Sequence, residues 1–368
     1  MGSCKLENIY KKFGQTIACD NVSLEVNDNE FKFLLGPSGA GKTTILRILA
    51  GLETPDSGKV FIDGRDVTKL PPEERPVAMV FQQAVLYPHM TVWENMEFPL
   101  KINKVPNKER IEKINYMAKL VKIDHKLSQN VTTLSGGEMQ RAALARLFVQ
   151  DSSIYLMDEA LNWLDVKLKL LMRTEIKLLQ EKLGVTIISV THDQAEALCM
   201  GSSLALVNEG VIQQVGSPLE VYYRPNSAWV ADFIGSPSMN FITGTIGEDL
   251  CLEYYNARIP ISEKYKRDLD LKELIGKEIA VGFRPEGVEV FSDNNNSKKS
   301  INYIECEVAT IEFEGHRTLI DFIDNQGQSI MCSVNPVENK LKEGDKMMVK
   351  WLENAELLFD KASGKRIG

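Results

Sequence analysis

The stretch Gly36-Pro37-Ser38-Gly39-Ala40-Gly41-Lys42-Thr43 fits the phosphate-loop pattern G-x-x-x-x-G-K-[ST] at every specified position. Its glycines leave room for backbone N–H groups to close around phosphate oxygens, and a helix starting there adds the positive end of its dipole. Lys42 is expected to reach the β and γ phosphates of ATP and the Thr43 hydroxyl to ligate Mg²⁺, with Thr44 adding to the nucleotide contacts. The flanks suit the motif. Residues 31–35 form an apolar run that reads as a buried strand, and residues 44–50 read as a helix ending at Gly51.

Four other places could act on the same ligand. The acidic pair Asp158-Glu159 follows the buried-strand run 154–157; Asp158 is expected in the Mg²⁺ shell and Glu159 as the group that polarises the attacking water. Gln82 ends the strand 77–81, where a glutamine is either a solvated polar group or an amide reaching the metal or the water. His192 follows the strand 186–190, at the kind of sheet edge where open α/β folds bind ligands. Ser135-Gly136-Gly137 opens a helix with exposed N–H groups and a hydroxyl, which serves as a cap in most proteins and as an anion site in some. Phe13, before the turn at Gly14, is either a packing residue or a ring that stacks on adenine.

These residues need a scaffold, and the sequence supplies one. Residues 4–26 alternate as edge strands do, 59–64 reads as a strand running into a turn, 91–128 as largely helical, 166–182 as a long helix, and 204–212 as a hairpin. Gly235-Ser236-Pro237 marks the expected domain boundary, giving domains 1–235 and 236–368. Beyond it, short strands at 279–283, 287–291, 305–313, 319–323, 329–334 and 347–351 suggest a small β-barrel unit or pair. The polar run Ser292-Asp293-Asn294-Asn295-Asn296-Ser297-Lys298-Lys299 reads as a mobile loop.

With 368 residues the chain is long enough for two or three domains, and 43% apolar against 26% charged residues is the balance of a soluble protein. The formal charge of −8 argues against a general nucleic-acid binder. Six scattered cysteines form no C-x-x-C pair and read as reduced packing residues. No stretch approaches the ~18 apolar residues of a membrane span, and the first residues hold no apolar signal run. Any membrane role is therefore expected through a partner.

Taken together, the phosphate loop, Gln82, Leu134-Ser135-Gly136-Gly137, Asp158-Glu159 and His192 resemble, in order and spacing, the ATP-binding subunits of ABC transporters. The likeness covers residues 3–235. Phe233-Ile234-Gly235-Ser236-Pro237, Met239-Asn240-Phe241 and Phe283-Arg284-Pro285-Glu286 look like the maltose-type carbohydrate importers, which carry a C-terminal regulatory domain of OB-fold type. The resemblance implies a P-loop α/β domain with a helical subdomain at about 84–150, followed by an all-β OB-like domain. It also implies a head-to-tail homodimer, or a pair with a related ATPase subunit, in which each phosphate loop faces the other subunit's Ser135-Gly136-Gly137. Phe13 would then stack on adenine, Gln82 sense Mg²⁺ and the γ-phosphate, and His192 touch the γ-phosphate.

The implied function is the ATP-hydrolysing motor of an importer for sugars or related polyols. Its partners would be two integral membrane permeases and, indirectly, an extracytoplasmic solute-binding protein, and its location the cytoplasmic face of the cell membrane. The turn Tyr87-Pro88-His89 would adjoin the groove that receives a permease helix. Two alternatives remain at this level: a soluble non-transport ABC ATPase, and a regulatory nucleotide binder with impaired turnover. The second is suggested by Ala160, Asn162 and Trp163, which stand where the family pattern has Pro, Ser and Asn. Against the first, the interval from Lys42 to Ser135 has no room for a long coiled coil.

Overall fold

The computed structural model describes residues 2–268, 271–292, 303–336 and 341–368. Alternating side chains make β1 (Cys4–Phe13) and β2 (Thr16–Val26) an antiparallel pair, and β3 (Phe31–Leu35), apolar except for Lys32, is buried at every position. The phosphate loop follows and runs into α1 (Lys42–Ala50), which ends at Gly51 with φ 77°. The chain continues through β4 (Ser57–Ile62), β5 (Arg65–Asp66) and β6 (Val77–Val80). Three helices come next: α2 (Val92–Ile102), α3 (Asn107–Leu120) and α4 (Gly136–Phe148). Then β7 (Ile154–Asp158), α5 (Val166–Leu183), β8 (Thr186–Thr191), α6 (Gln194–Met200), β9 (Ser203–Asn208) and β10 (Val211–Gly216) complete this part.

Two sheets result, ordered β2-β1-β4-β5 and β10-β9-β3-β8-β7-β6. In the larger sheet β9, β3, β8, β7 and β6 pair in parallel, and only β10 runs antiparallel to its neighbour. The apolar residues of α1 share one buried cluster with Leu6, Ile9 and Val22 of the antiparallel sheet and Leu34, Leu156 and Ile188 of the parallel one. A parallel sheet sends the C-terminal ends of its strands to one edge. The residues after β3, β6, β7 and β8 must therefore gather there.

The stretch 91–128 is not one helix. The chain leaves α2 at Asn103 and enters α3 after Pro106, which has no N–H and an extended ψ of 145°. Helix α2 begins at Thr91 in a capping box with Glu94, and α2, α3 and α4 pack on one another.

Contacts divide the chain into units Met1–Leu219 and Glu220–Gly368. The segment 220–235, expected to close the first domain, groups with the second unit, and Arg284 is one reason. Its buried guanidinium donates to the carbonyls of Tyr222, Ala231 and Ile234, the Tyr222 bond measuring 3.0 Å, and lies 4.2 Å over the Tyr222 ring. The second unit holds α8 (Ala228–Phe233), one turn beyond α7 (Pro218–Tyr223), in which the division falls. Its strands are β11 (Asn240–Ile246), β12 (Cys251–Tyr254), β13 (Ala257–Pro260), β14 (Glu278–Phe283), β15 (Val288–Ser292) and β16 (Ile304–Phe313). They continue with β17 (Thr318–Asp324), β18 (Ser329–Val334), β19 (Lys346–Trp351), β20 (Leu357–Asp360) and β21 (Arg366–Ile367). They form two sheets, β13-β12-β11-β14-β20-β21 and β15-β19-β16-β17-β18, around one core that includes Phe283, Phe322 and Trp351. Ser292 ends β15, and the remainder of the polar run expected as a loop lies outside the described residues.

Candidate nucleotide site

The phosphate loop owes its path to glycine at two positions. A Cβ on Gly36 would lie 2.0 Å from the Val207 carbonyl oxygen, and one on Gly41, where φ is 99°, would lie 2.1 Å from that of Ala18. Any side chain there would displace backbone. Within the loop Lys42 is buried, and its ammonium donates to the carbonyls of Gly36 at 2.8 Å and Pro37 at 2.7 Å. Burial lowers its pKa, against the pull of Glu159 and Asp158. Ser38, Gly39 and Ala40 complete the loop, with Ala40 buried and Gly39 open.

Thr43, in the first turn of α1, donates its hydroxyl to Oδ1 of Asp158 at 3.0 Å. Asp158 ends β7 almost wholly buried, so desolvation raises its pKa while the Thr43 bond opposes the rise. A buried carboxylate and a hydroxyl side by side are a sound fit for Mg²⁺, which takes one or two protein oxygens and completes its shell with water and phosphate.

Glu159 is the centre of a second group. Its backbone adopts φ 47°, held by an N–H bond to the Val190 carbonyl at 2.9 Å, which turns the side chain away from the strand. Gln82 Nε2 donates to Glu159 Oε2 at 2.8 Å, and His192 Nδ1 lies 3.3 Å from Oε1. Register explains this meeting: Val80 pairs with Met157, and Asp158 with Val190, so the residues that follow all emerge on one edge. The structure thus brings together Lys42, Thr43, Asp158, Glu159, Gln82 and His192.

Of the remaining expected contacts, Gly137 comes near the loop after Glu159: a Cβ there would lie 3.7 Å from the Trp163 carbonyl oxygen. Ser135 caps α4 in a capping box: its hydroxyl accepts from the Glu138 N–H, and the Glu138 carboxylate accepts from the Ser135 N–H at 2.8 Å. Hydrogen bonds from Ser135 hold the Glu138 carboxyl down to about 2. The N–H groups of Gly136 and Gly137 sit in the first turn beside it. Phe13 is half exposed at the end of β1, its ring 5.1 Å from the Lys11 ammonium. Thr44 lies in α1 one residue beyond the hydroxyl that meets Asp158.

The sequence flagged Asn162 and Trp163 only as departures from the family pattern and left their contacts, with those of Gln140 and Asp193, unread. Asn162 Nδ2 donates to Glu159 Oε2 at 2.7 Å, and the Trp163 indole donates to the Gln82 carbonyl at 3.1 Å. Buried Gln140 donates to the Ala160 carbonyl at 2.8 Å, tying α4 to the same loop. Behind His192, Asp193 caps α6 and pairs with Lys169 and Arg173, each at 2.7 Å. An Asp directly before a helical run was the available sign for the last of these.

Comparison with known proteins agrees with this geometry. Residues 19–162 match the family model described as ABC transporter, and residues 235–288 match the MalK OB fold domain. The chain is 40% identical over its whole length, and that of its relative, to the trehalose/maltose import ATP-binding protein MalK of Thermococcus litoralis. It is 38% identical, again over both whole chains, to the oligosaccharides import ATP-binding protein MsmX of Bacillus subtilis. Among solved structures, the dimeric ATP-binding cassette MJ0796 in a post-hydrolysis state with ADP and Pi matches 58% of this chain and 98% of its own. That match has a TM-score of 0.55 and 31% identity.

Proposed function

Because the chain belongs to the ATP-binding family of ABC transporters, within it to the sugar-import branch with a MalK-type OB domain, we propose that it powers import of a sugar or related polyol. The observation that carries this reading is the single sheet edge at which a buried lysine, a hydroxyl–carboxylate pair and a hydrogen-bonded glutamate converge.

ATP sits with its phosphates in the loop 36–43. Lys42 has two of its three donors on loop carbonyls, and the third is free to reach the β and γ phosphates. Thr43 and Asp158 would hold Mg²⁺, with the Gln82 amide available to complete the protein's share of its ligands. When bound, the ion neutralises charge building on the phosphate oxygens. Glu159 takes the proton from a water whose oxygen bonds to the γ-phosphorus, as the bond to the β–γ bridging oxygen breaks and ADP departs with the electron pair. In this reading His192, beside Glu159, touches the γ-phosphate, and the half-exposed Phe13 ring covers the adenine.

Two copies close head to tail. The Ser135-Gly136-Gly137 start of α4 in each copy supplies a helix N-terminus to the γ-phosphate held by the other. Charge-assisted hydrogen bonds of this kind contribute about 1.5–3 kcal/mol apiece, so the shared phosphate favours closure and its hydrolysis removes that bias. Two membrane permeases follow the motion, docking near Tyr87, whose ring packs on Phe98 and under Arg146. A solute-binding protein outside delivers the sugar, and the chain works on the cytoplasmic face of the membrane. No helix among the described residues is long and apolar enough to cross it.

The test is to purify the chain with whatever membrane proteins it retains in detergent, and to measure Mg²⁺-dependent ATP hydrolysis in proteoliposomes with and without candidate sugars inside and out. Sugar uptake coupled to ADP release supports the reading. ATP hydrolysis with no permease retained and no uptake contradicts it.

A further inference from the structure

Residues 162 and 163 make contacts that the reaction above leaves unused. Glu159 Oε2 accepts from both Asn162 Nδ2 at 2.7 Å and Gln82 Nε2 at 2.8 Å. A carboxylate oxygen offers two lone-pair sites, so Oε2 is filled, while among the described residues Oε1 has only the looser His192 contact at 3.3 Å. The turn makes this reach possible. The Asn162 N–H donates to the Glu159 carbonyl at 3.2 Å and that of Leu164 to Leu161 at 3.3 Å, folding residue 162 back over residue 159. Trp163, mostly exposed, spends its indole N–H on the Gln82 carbonyl at 3.1 Å. One short loop therefore grips both the glutamate and the glutamine.

We propose that Asn162 is a positioning residue for ATP hydrolysis: it pins Oε2 of Glu159 so that Oε1 faces the attacking water, while Trp163 keeps Gln82 in the same frame. This rests on Glu159 being the group that takes the water's proton. Gln82 has a competing task at the metal and the γ-phosphate, and an amide turned that way no longer serves Oε2. Asn162 is then the donor that stops the carboxylate from rotating about its last torsion. A serine hydroxyl at 162 would be shorter by one atom and would reach Oε2 less well. The asparagine thus changes how the base is held without touching the nucleotide.

The experiment compares steady-state ATP hydrolysis, ATP affinity and thermal midpoint for the full chain carrying Asn162→Ala, alone and combined with Glu159→Gln. The expected result is a fall in kcat on the order of tenfold, the scale of a misaligned reacting group, with KM and ATP affinity unchanged. In the Glu159→Gln background the same substitution changes nothing further, because its effect runs through that carboxylate. Asn162→Asp, which replaces the donor by a second anion, falls below Asn162→Ala, and an unchanged thermal midpoint in each variant shows that folding is intact. Trp163→Phe, which keeps the ring and loses the donor, lowers kcat by a smaller factor. Full kcat in Asn162→Ala, or an equal loss in both backgrounds, overturns the proposal. If Glu159→Gln alone leaves turnover intact, the assignment of the base fails and the proposal falls with it, a result distinguishable from failure of Asn162 alone.

Discussion

The phosphate loop and the loop of residues 159–163 share a sheet edge but are held by different forces. The first is fixed by burial and by backbone: Lys42 lies on two loop carbonyls, and Gly36 and Gly41 abut the carbonyls of other strands at distances that admit no Cβ. The second is fixed by side chains, with Gln82, Asn162 and His192 around Glu159, and with Trp163 open to solvent. A packed cradle has its shape before ligand arrives, so binding costs little ordering. A ring of side-chain hydrogen bonds can exchange partners at small cost, which suits the groups that must meet water and a departing phosphate. In the proposed function binding and turnover fall to different loops, and substitutions should separate them.

The largest effect belongs to the second loop. Glu159→Gln keeps size and one acceptor oxygen and loses the proposed base, so turnover should drop by roughly 10²–10⁴ while ATP affinity persists. Equal loss of affinity would erase the distinction between the loops. Lys42→Ala tests the other side: losing charged hydrogen bonds of about 1.5–3 kcal/mol should weaken ATP binding by roughly ten- to a hundredfold in a titration. Normal affinity in that variant would move the cradle elsewhere.

A smaller effect sharpens the comparison by touching neither loop's ligand contacts. Glu196 on α6 is buried and its pKa is pushed up to about 7, chiefly by desolvation; Lys169, 3.9 Å away, and the Thr191 hydroxyl at 3.2 Å pull it down, while Asp193 raises it. The unfolded carboxyl ionises at lower pH than the folded one. Stability from this group therefore falls as pH rises from the ordinary carboxylate range to about 7, and the penalty is constant above. Glu196→Gln should raise stability at pH 8 by on the order of 1–3 kcal/mol and leave it nearly unchanged near pH 4. Thermal melts at the two pH values check this, and a gain that is larger at the acid end contradicts it.

Much of the nucleotide edge was legible because chemistry there follows strand ends. The apolar runs before Gly36, Gln82, Asp158 and His192 name four parallel strands, and a parallel sheet must bring their ends together. What the sequence could not give was side-chain reach. Nothing in Glu159-Ala160-Leu161-Asn162-Trp163 announces that φ 47° at the glutamate and a turn back at 162 place an amide on its carboxylate. Strands β11 to β13 were also missed. Asn240, Thr243 and Gly244 dilute the apolar signal of β11, and Gly244 is there because a Cβ would approach the Glu253 carbonyl oxygen to 2.5 Å. Likewise a lone arginine in Phe283-Arg284-Pro285-Glu286 gives no hint that it will gather carbonyls from 222, 231 and 234.

The central claim is that ATP is clasped between a preformed cradle on one copy and the Ser135 helix start of another. Sedimentation of the full chain carrying Glu159→Gln, with and without ATP and Mg²⁺, tests it most directly. The account predicts a monomer without nucleotide, a dimer with it, and return to monomer when ADP replaces ATP. A chain that binds ATP yet stays monomeric at every concentration, alone and with its permeases, would contradict it.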